Sequence, residues 1–417
     1  MIPRSQLQIE PRRLAKLLAS VAVSGLCVVY GLEVGLRLLA ALQSPPEGPS
    51  IEARRRKEED APQKQALLQA GLSPLFYPEM VRSNSASRGL AHRHGFVPLA
   101  PQPATKLVYC NEGYGMVTYQ TDHLGFRNPP AVWDMPTDIL LVGDSFAHGS
   151  CVPDDEVLSA HLSDLGHAVI NVATGGNDPI IYASLIKTFA RPTPRAVVVV
   201  VYTGNDFEPI SRTDVFGSAY LGDDARDPGY IETATTGRFA LSATATQFYQ
   251  KLEKVLKARS DKYLQWLATK PPDPPPPSLA KRAKAAVKLK MLREAVHAYL
   301  TTPAPEPFDA MQGAGIMLDL LLGSCNRNKN CTPVVVTISP SPFWMPHKQV
   351  QALEAQFAEL VASRQRAHSE LVFVDSSPTI TALGMNGNSP KGHHLSKTGY
   401  REVAQLINAA LQSASHQ

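Results

Sequence analysis

The hydrophobic positions of this chain gather into a few short, continuous runs and seldom alternate with polar ones. Five runs stand out: "DILLVGDS" at 138–145, "HAVINVAT" at 167–174, "RAVVVVVYTGND" at 195–206, "TPVVVTISP" at 332–340 and "ELVFVDSS" at 370–377. Short Val- and Ile-rich runs of this kind suit strands buried on both faces of a parallel sheet. Between and after them, segments 179–191, 308–323, 347–368 and 397–412 repeat their apolar residues with the period of an amphipathic helix. Strands alternating with helices predict a doubly wound α/β sandwich with helices on both faces. Ligands of such sheets bind beyond the carboxyl ends of the strands, and Ser145, Thr174 to Gly176, and Gly204 to Asp206 all fall there.

A different pattern occupies the N-terminus. Residues 1–16 form a basic segment, with Arg12, Arg13 and Lys16 preceding an apolar run from Leu17 to Leu42 whose only charges are Glu33 and Arg37. That length predicts one transmembrane helix over 17–42, a signal anchor with the rest of the chain exported; a cleaved signal peptide is the alternative. Residues 43–70 shift to Pro, Glu, Arg and Lys and predict a solvated linker, which leaves 71–417 as the main domain. Within it, 71–137 is aromatic and Gly-rich, suited to edge strands or a cover for the sheet, and no chemistry is assigned to it. An insertion at about 207–305 predicts two amphipathic helices around "PPDPPPP".

Charge refines this outline. The whole chain carries only +4 and no nucleic-acid-binding signature, so nucleic acid is not an expected partner. Gln247 to Leu300 holds 12 Lys and Arg against 4 Asp and Glu. A solvated helix face explains this surplus, as would an arm lying on anionic lipid or an acidic glycan. Cys325 and Cys331 bracket "CNRNKNC", where a disulfide suits an oxidising compartment and two free surface cysteines are the alternative. Cys110 and Cys151 have no partner at metal-site spacing, so neither a metal nor another cofactor is expected.

The strand ends offer the parts of an acyl-transfer site. Ser145 follows the first strand where a helix begins, so its hydroxyl can project from the sheet and its N–H can face negative charge. Gly176 can bring a bare N–H close to substrate, and the Asn205 amide can donate to the same oxyanion. His393 and His394, at the start of the last helix, are both available as a base. Each piece also has a bland reading as a cap, a turn or core. His148 is read as a packed or solvent-facing residue rather than a pocket lining, and Tyr202 as core.

Taken in order, "GDSFAHG" with Gly143, Asp144, Ser145 and Gly149, "NVATGG" with Asn171 and Gly176, "GND" at 204–206 and "HLSKTGY" resemble the four blocks of the SGNH hydrolases, or GDSL esterases and lipases. The resemblance covers roughly 138–206 and 332–412. It implies a three-layer α/β sandwich with a central, mostly parallel, flavodoxin-like sheet. It also implies Ser145 as nucleophile, His394 as base, and Ser145, Gly176 and Asn205 as oxyanion hole, with Gly143, Asp144 and Asp206 supporting the site. The family's aspartate three residues before the histidine is here Lys391. A backbone carbonyl, a distant carboxylate such as Asp375, or use of His393 would have to replace it. The expected function is a membrane-anchored, periplasmic serine esterase acting on an O-acyl or O-acetyl group of an envelope glycan or lipid. An O-acyltransferase and a degenerate binding protein are the alternatives.

Overall fold

In a computed structural model, the described residues are 60–76, 98–190, 194–207, 229–233, 239–269, 310–326, 331–340 and 347–415, with isolated positions 24, 28–30, 32 and 78. The chain divides into two compact units, residues 1–56 with 269–305 and residues 57–268 with 306–417, and the elements that build the site belong to the second. The expected anchor at 17–42 and the second helix of the insertion lie almost wholly outside the described residues. Among the described residues, no helix is long and apolar enough to cross a membrane.

A small sheet comes first. Strands β1 (Ser73–Pro74), β2 (Lys106–Val108) and β3 (Thr118–Gln120) are ordered β1-β2-β3, with β2 and β3 antiparallel. The main sheet alternates strand and helix: β4 (Ile139–Gly143), α1 (Ser145–His148), α2 (Leu158–Asp164), β5 (Val169–Asn171), α3 (Pro179–Phe189) and β6 (Ala196–Tyr202). An antiparallel pair follows, β7 (Ile231–Thr233) with β8 (Phe239–Leu241), and then α4 (Ala243–Thr269) and α5 (Ala310–Asn326). The chain returns to the main sheet with β9 (Thr332–Ile338), α6 (His347–Ala367), β10 (Val372–Asp375), α7 (Ser377–Leu383) and α8 (Lys397–Ala414).

The five predicted runs are thus the five strands of one sheet. They pair in parallel throughout, in the order β10-β9-β6-β4-β5. Successive residues serve opposite faces. Leu140, Val142, Val197 and Val199 pack with α3 and α5, whereas Ile139, Leu141, Val198 and Val200 pack with α2 and α8. Two cores on two faces give the three layers, and each fully buried valine contributes about 1.5–3 kcal/mol. The order reverses between β4 and β6, because β5 lies on one side of β4 and the later strands lie on the other. A crevice at such a switch point is where this architecture binds ligands.

Two pieces of the sequence reading change. Residues 60–69, assigned to the linker, are helical, and Leu68 is buried. Of the two readings open for Cys325 and Cys331, the loop disulfide is the one present, and Cys110 and Cys151 also form one, across 41 residues of chain.

Gly143 shows how tightly β4 hands over to α1. A Cβ there would meet the Ala147 Cβ at 2.6 Å and the Val200 carbonyl oxygen at 2.8 Å. Backbone cannot yield cheaply at the centre of a sheet. Gly143→Ala is expected to cost about 1–3 kcal/mol of stability, checked by denaturant unfolding at constant slope.

Candidate active site

The turn that carries Ser145 is built by Asp144. Its Oδ1 accepts the Phe146 N–H at 2.8 Å, capping α1 and setting Ser145 at the first helical position. Phe146 then stacks on Tyr202 with ring centroids 3.9 Å apart, which confirms Tyr202 as a packing residue and locks α1 against β6. Gly149 closes α1 in the left-handed conformation, φ 83°.

The histidine that faces Ser145 comes from the loop before α8. His394 Nε2 lies 3.0 Å from Ser145 Oγ, and its Nδ1 lies 2.8 Å from Glu112 Oε1. A proton on Nδ1 donated to the carboxylate leaves Nε2 free to accept from the serine hydroxyl. Ser145 Oγ also lies 3.1 Å from Asp144 Oδ2, a second acceptor for the same proton. The choice between the two histidines is therefore made by geometry. His393 is the exposed neighbour, its ring 4.2 Å from that of His394.

Glu112 answers the question posed by Lys391. It is a distant carboxylate, though not Asp375, whose Oδ1 accepts the Ser377 N–H at the start of α7. Glu112 sits on the turn between β2 and β3, in the segment to which no chemistry was assigned. Its carbonyl accepts the Lys391 N–H at 3.0 Å, and Oε2 accepts the His394 N–H at 3.3 Å. The carboxylate fills the space left bare by Gly392, where a Cβ would come within 1.7 Å of the Glu112 carboxyl carbon. Glycine at 392 is a local signal that a foreign side chain lies against this loop.

Burial opposes the charged form of Glu112, but the nearby His394 charge and its hydrogen bonds outweigh that, and the carboxyl sits below its ordinary 4.5. The Glu112 and His394 side chains are only 12% and 13% exposed, which keeps their contact largely free of competing water. Asp144 behaves oppositely. Burial pushes it up to about 6, although hydrogen bonds from Phe146 and Ser145 and the His394 charge pull it back.

The remaining predicted residues occupy the neighbouring strand ends. Gly176 has φ 76°, a left-handed conformation that suits glycine, in a turn held by Asn177, whose amide donates to the Gly143 carbonyl at 3.3 Å. Asn205 is exposed after β6. Asp206 ties that turn down, its Oδ2 accepting the Tyr182 hydroxyl at 2.7 Å and the Tyr202 N–H at 2.8 Å. Burial, reinforced by the Asp144 charge, raises the Asp206 carboxyl well above its usual range. Thr203 donates to Glu354 of α6 at 2.6 Å, a brace the sequence reading missed. His148 lies buried between Tyr109 and Tyr119, and burial drives its pKa well down, so it is a neutral packed residue.

Glu112, Cys151 and His394 present donor atoms within 4.8 Å of one another. The Cys151 sulfur is bonded to Cys110 and the other two groups to each other, which leaves no free thiolate for a metal.

Fold and site together define a parallel α/β protein with a serine, histidine and glutamate hydrogen-bonded in series at the switch point. Neither a protein-family model nor a curated protein matches the sequence. Among solved structures, the chain is similar to a lipolytic protein of the G-D-S-L family from Desulfitobacterium hafniense, at TM-score 0.32 and 12% identity over 66% of this chain and 99% of that one. It is similar to a family 3 carbohydrate esterase from Clostridium thermocellum, at 0.32 and 13% over 67% and 98%. A third is a carbohydrate esterase family 2 enzyme with its carbohydrate-binding domain from Corynascus thermopiles (Myceliophthora fergusii), at 0.35 and 12% over 73% and 72%. Likeness at this level carries no argument, and the functional reading rests on the site.

Glu112→Gln is expected to lower kcat on the order of 10³-fold with KM nearly unchanged, because orientation of the imidazole matters most in the transition state. Gly392→Ala, which displaces the same carboxylate, is expected to lose on the order of 100-fold. Steady-state kinetics on a chromogenic ester checks both.

Asp144 yields a stability prediction. Its folded pKa of about 6 exceeds the ordinary 3.8, so the folded state binds more protons between those values. The stability this group contributes is greatest below 3.8 and falls by about 3 kcal/mol as pH rises through 6. Asp144→Asn keeps an oxygen for the cap and removes the titration. Denaturant unfolding from pH 4 to 7 should show wild type losing stability relative to this variant.

Proposed function

We propose that this chain is a serine esterase, exported and tethered to a membrane by its N-terminal segment, that cleaves O-acyl or O-acetyl esters of an envelope glycan or lipid. The observation that carries the reading is the unbroken hydrogen-bonded series Glu112–His394–Ser145. Ser145 Oγ attacks the ester carbonyl while His394 Nε2 takes the hydroxyl proton. Glu112 fixes the ring and steadies the imidazolium that forms. Negative charge on the carbonyl oxygen falls to the N–H groups of Ser145 and Gly176 and to the Asn205 amide, each at the carboxyl end of a strand. His394 then returns its proton to the departing alcohol, and water resolves the acyl-serine by the same route reversed.

The binding-only alternative has Lys391 in place of an aspartate as its main support and the basic insertion as its second, and the Glu112 carboxylate speaks against the first of these. Export is supported by the apolar run at 17–42 and by two disulfides, which persist in oxidising compartments.

Ser145→Ala is expected to abolish turnover of p-nitrophenyl acetate and labelling by a fluorophosphonate while leaving thermal unfolding unchanged. Equal turnover or equal labelling by this variant would sink the assignment.

A further inference from the structure

Glu112 reaches the site from outside the main sheet, which raises the question of what holds it there. It rides on a turn joining β2 to β3, two residues after Cys110. At the turn's base, Tyr109 and Cys110 pair with Val117: the Tyr109 N–H donates to the Val117 carbonyl, and the Val117 N–H to the Cys110 carbonyl, both at 2.9 Å. At its tip, Asn111 donates to Asp60 at 2.8 Å. None of these bonds ties the turn to the nucleophile. The disulfide from Cys110 to Cys151 does, because Cys151 lies in the loop that leaves α1, six residues after Ser145. Arg127 fixes the far side of that bond: it donates to the carbonyls of Gly149 at 2.7 Å and Val152 at 2.9 Å, on either side of Cys151. The Tyr109 hydroxyl adds a contact to Ser150.

We propose that Cys110 and Cys151 are positioning residues: their disulfide holds Glu112 against His394, so that turnover depends on the oxidised form of this bond. The inference rests on the esterase reading and adds to it a redox requirement. A dithiol reductant supplies two electrons and two protons, the S–S bond gives two thiols, and the reductant leaves as its own disulfide. Once cut, the turn keeps its pairing to Val117 and the Lys391 bond but loses its covalent tie to the nucleophile loop. Displacement of an orienting group by about 1 Å is enough to cost on the order of 100-fold in rate.

The test compares wild type, Cys110→Ser with Cys151→Ser, Glu112→Gln, and the triple variant, each confirmed as folded by circular dichroism. The paired cysteine change is expected to lower kcat at least tenfold with KM within about twofold. In the Glu112→Gln background it should cost less than threefold more, because the group it positions has already gone. Undiminished kcat in the paired variant, or a loss that multiplies in full with Glu112→Gln, overturns the inference. If the paired variant does not fold, Cys325→Ser with Cys331→Ser is reduced stepwise while still folded. Loss of fluorophosphonate labelling at constant circular dichroism then supports the inference, and retained labelling after the Cys110 and Cys151 thiols are both alkylated overturns it. Oxidised wild type that neither turns over nor labels would refute the esterase reading itself, an outcome distinct from all of these.

Discussion

The contact between Glu112 and His394 is the interaction on which the rest of the site depends. A serine hydroxyl is a poor nucleophile until a base accepts its proton, and a histidine is a useful base only when one ring nitrogen is held as acceptor. Glu112 is placed to do this, 2.8 Å from His394 Nδ1 and largely sheltered from water. Much nearby architecture serves that one bond: Gly392 clears the volume, Lys391 anchors the Glu112 backbone, and the His394 N–H binds the second carboxylate oxygen. Around it, the sheet supplies rigid strand ends from which Ser145 and the two neighbouring turns project.

Much of the fold was legible in the sequence, because a parallel sheet buried on both faces writes itself as uninterrupted apolar runs. Each of the five runs became a strand, and alternate valines within a run, such as Val197 and Val198, face different cores. Ser145 and the His393–His394 pair were legible for a related reason: they sit where elements begin or end, next to the glycines and caps that punctuate a sequence, and only the family resemblance singled out His394. Glu112 was not. It lies 282 residues from His394, in a segment whose small strands give little periodic signal. Nothing in a single glutamate marks it as the partner of a distant ring.

The same limit explains the cysteines. Cys325 and Cys331 sit six apart around a polar loop, and proximity in sequence suggested their bond. Cys110 and Cys151 are 41 apart, and only the docking of the small sheet onto the nucleophile loop brings them together. Buried carboxylates were only half legible. Asp144 and Asp206 were assigned as supports from their place in turns, but the rise in both pKa values comes from desolvation, which sequence spacing does not express.

One consequence follows from where the three groups lie along the chain. Glu112 and Ser145 are both made before β6, whereas His394 emerges 249 residues after the serine. The Cys110–Cys151 bond between the Glu112 turn and the Ser145 loop therefore joins segments that are both complete before His394 is synthesised. In the esterase proposed above, the serine would lack its base until the loop before α8 docks, so reactivity would be the last property the protein acquires.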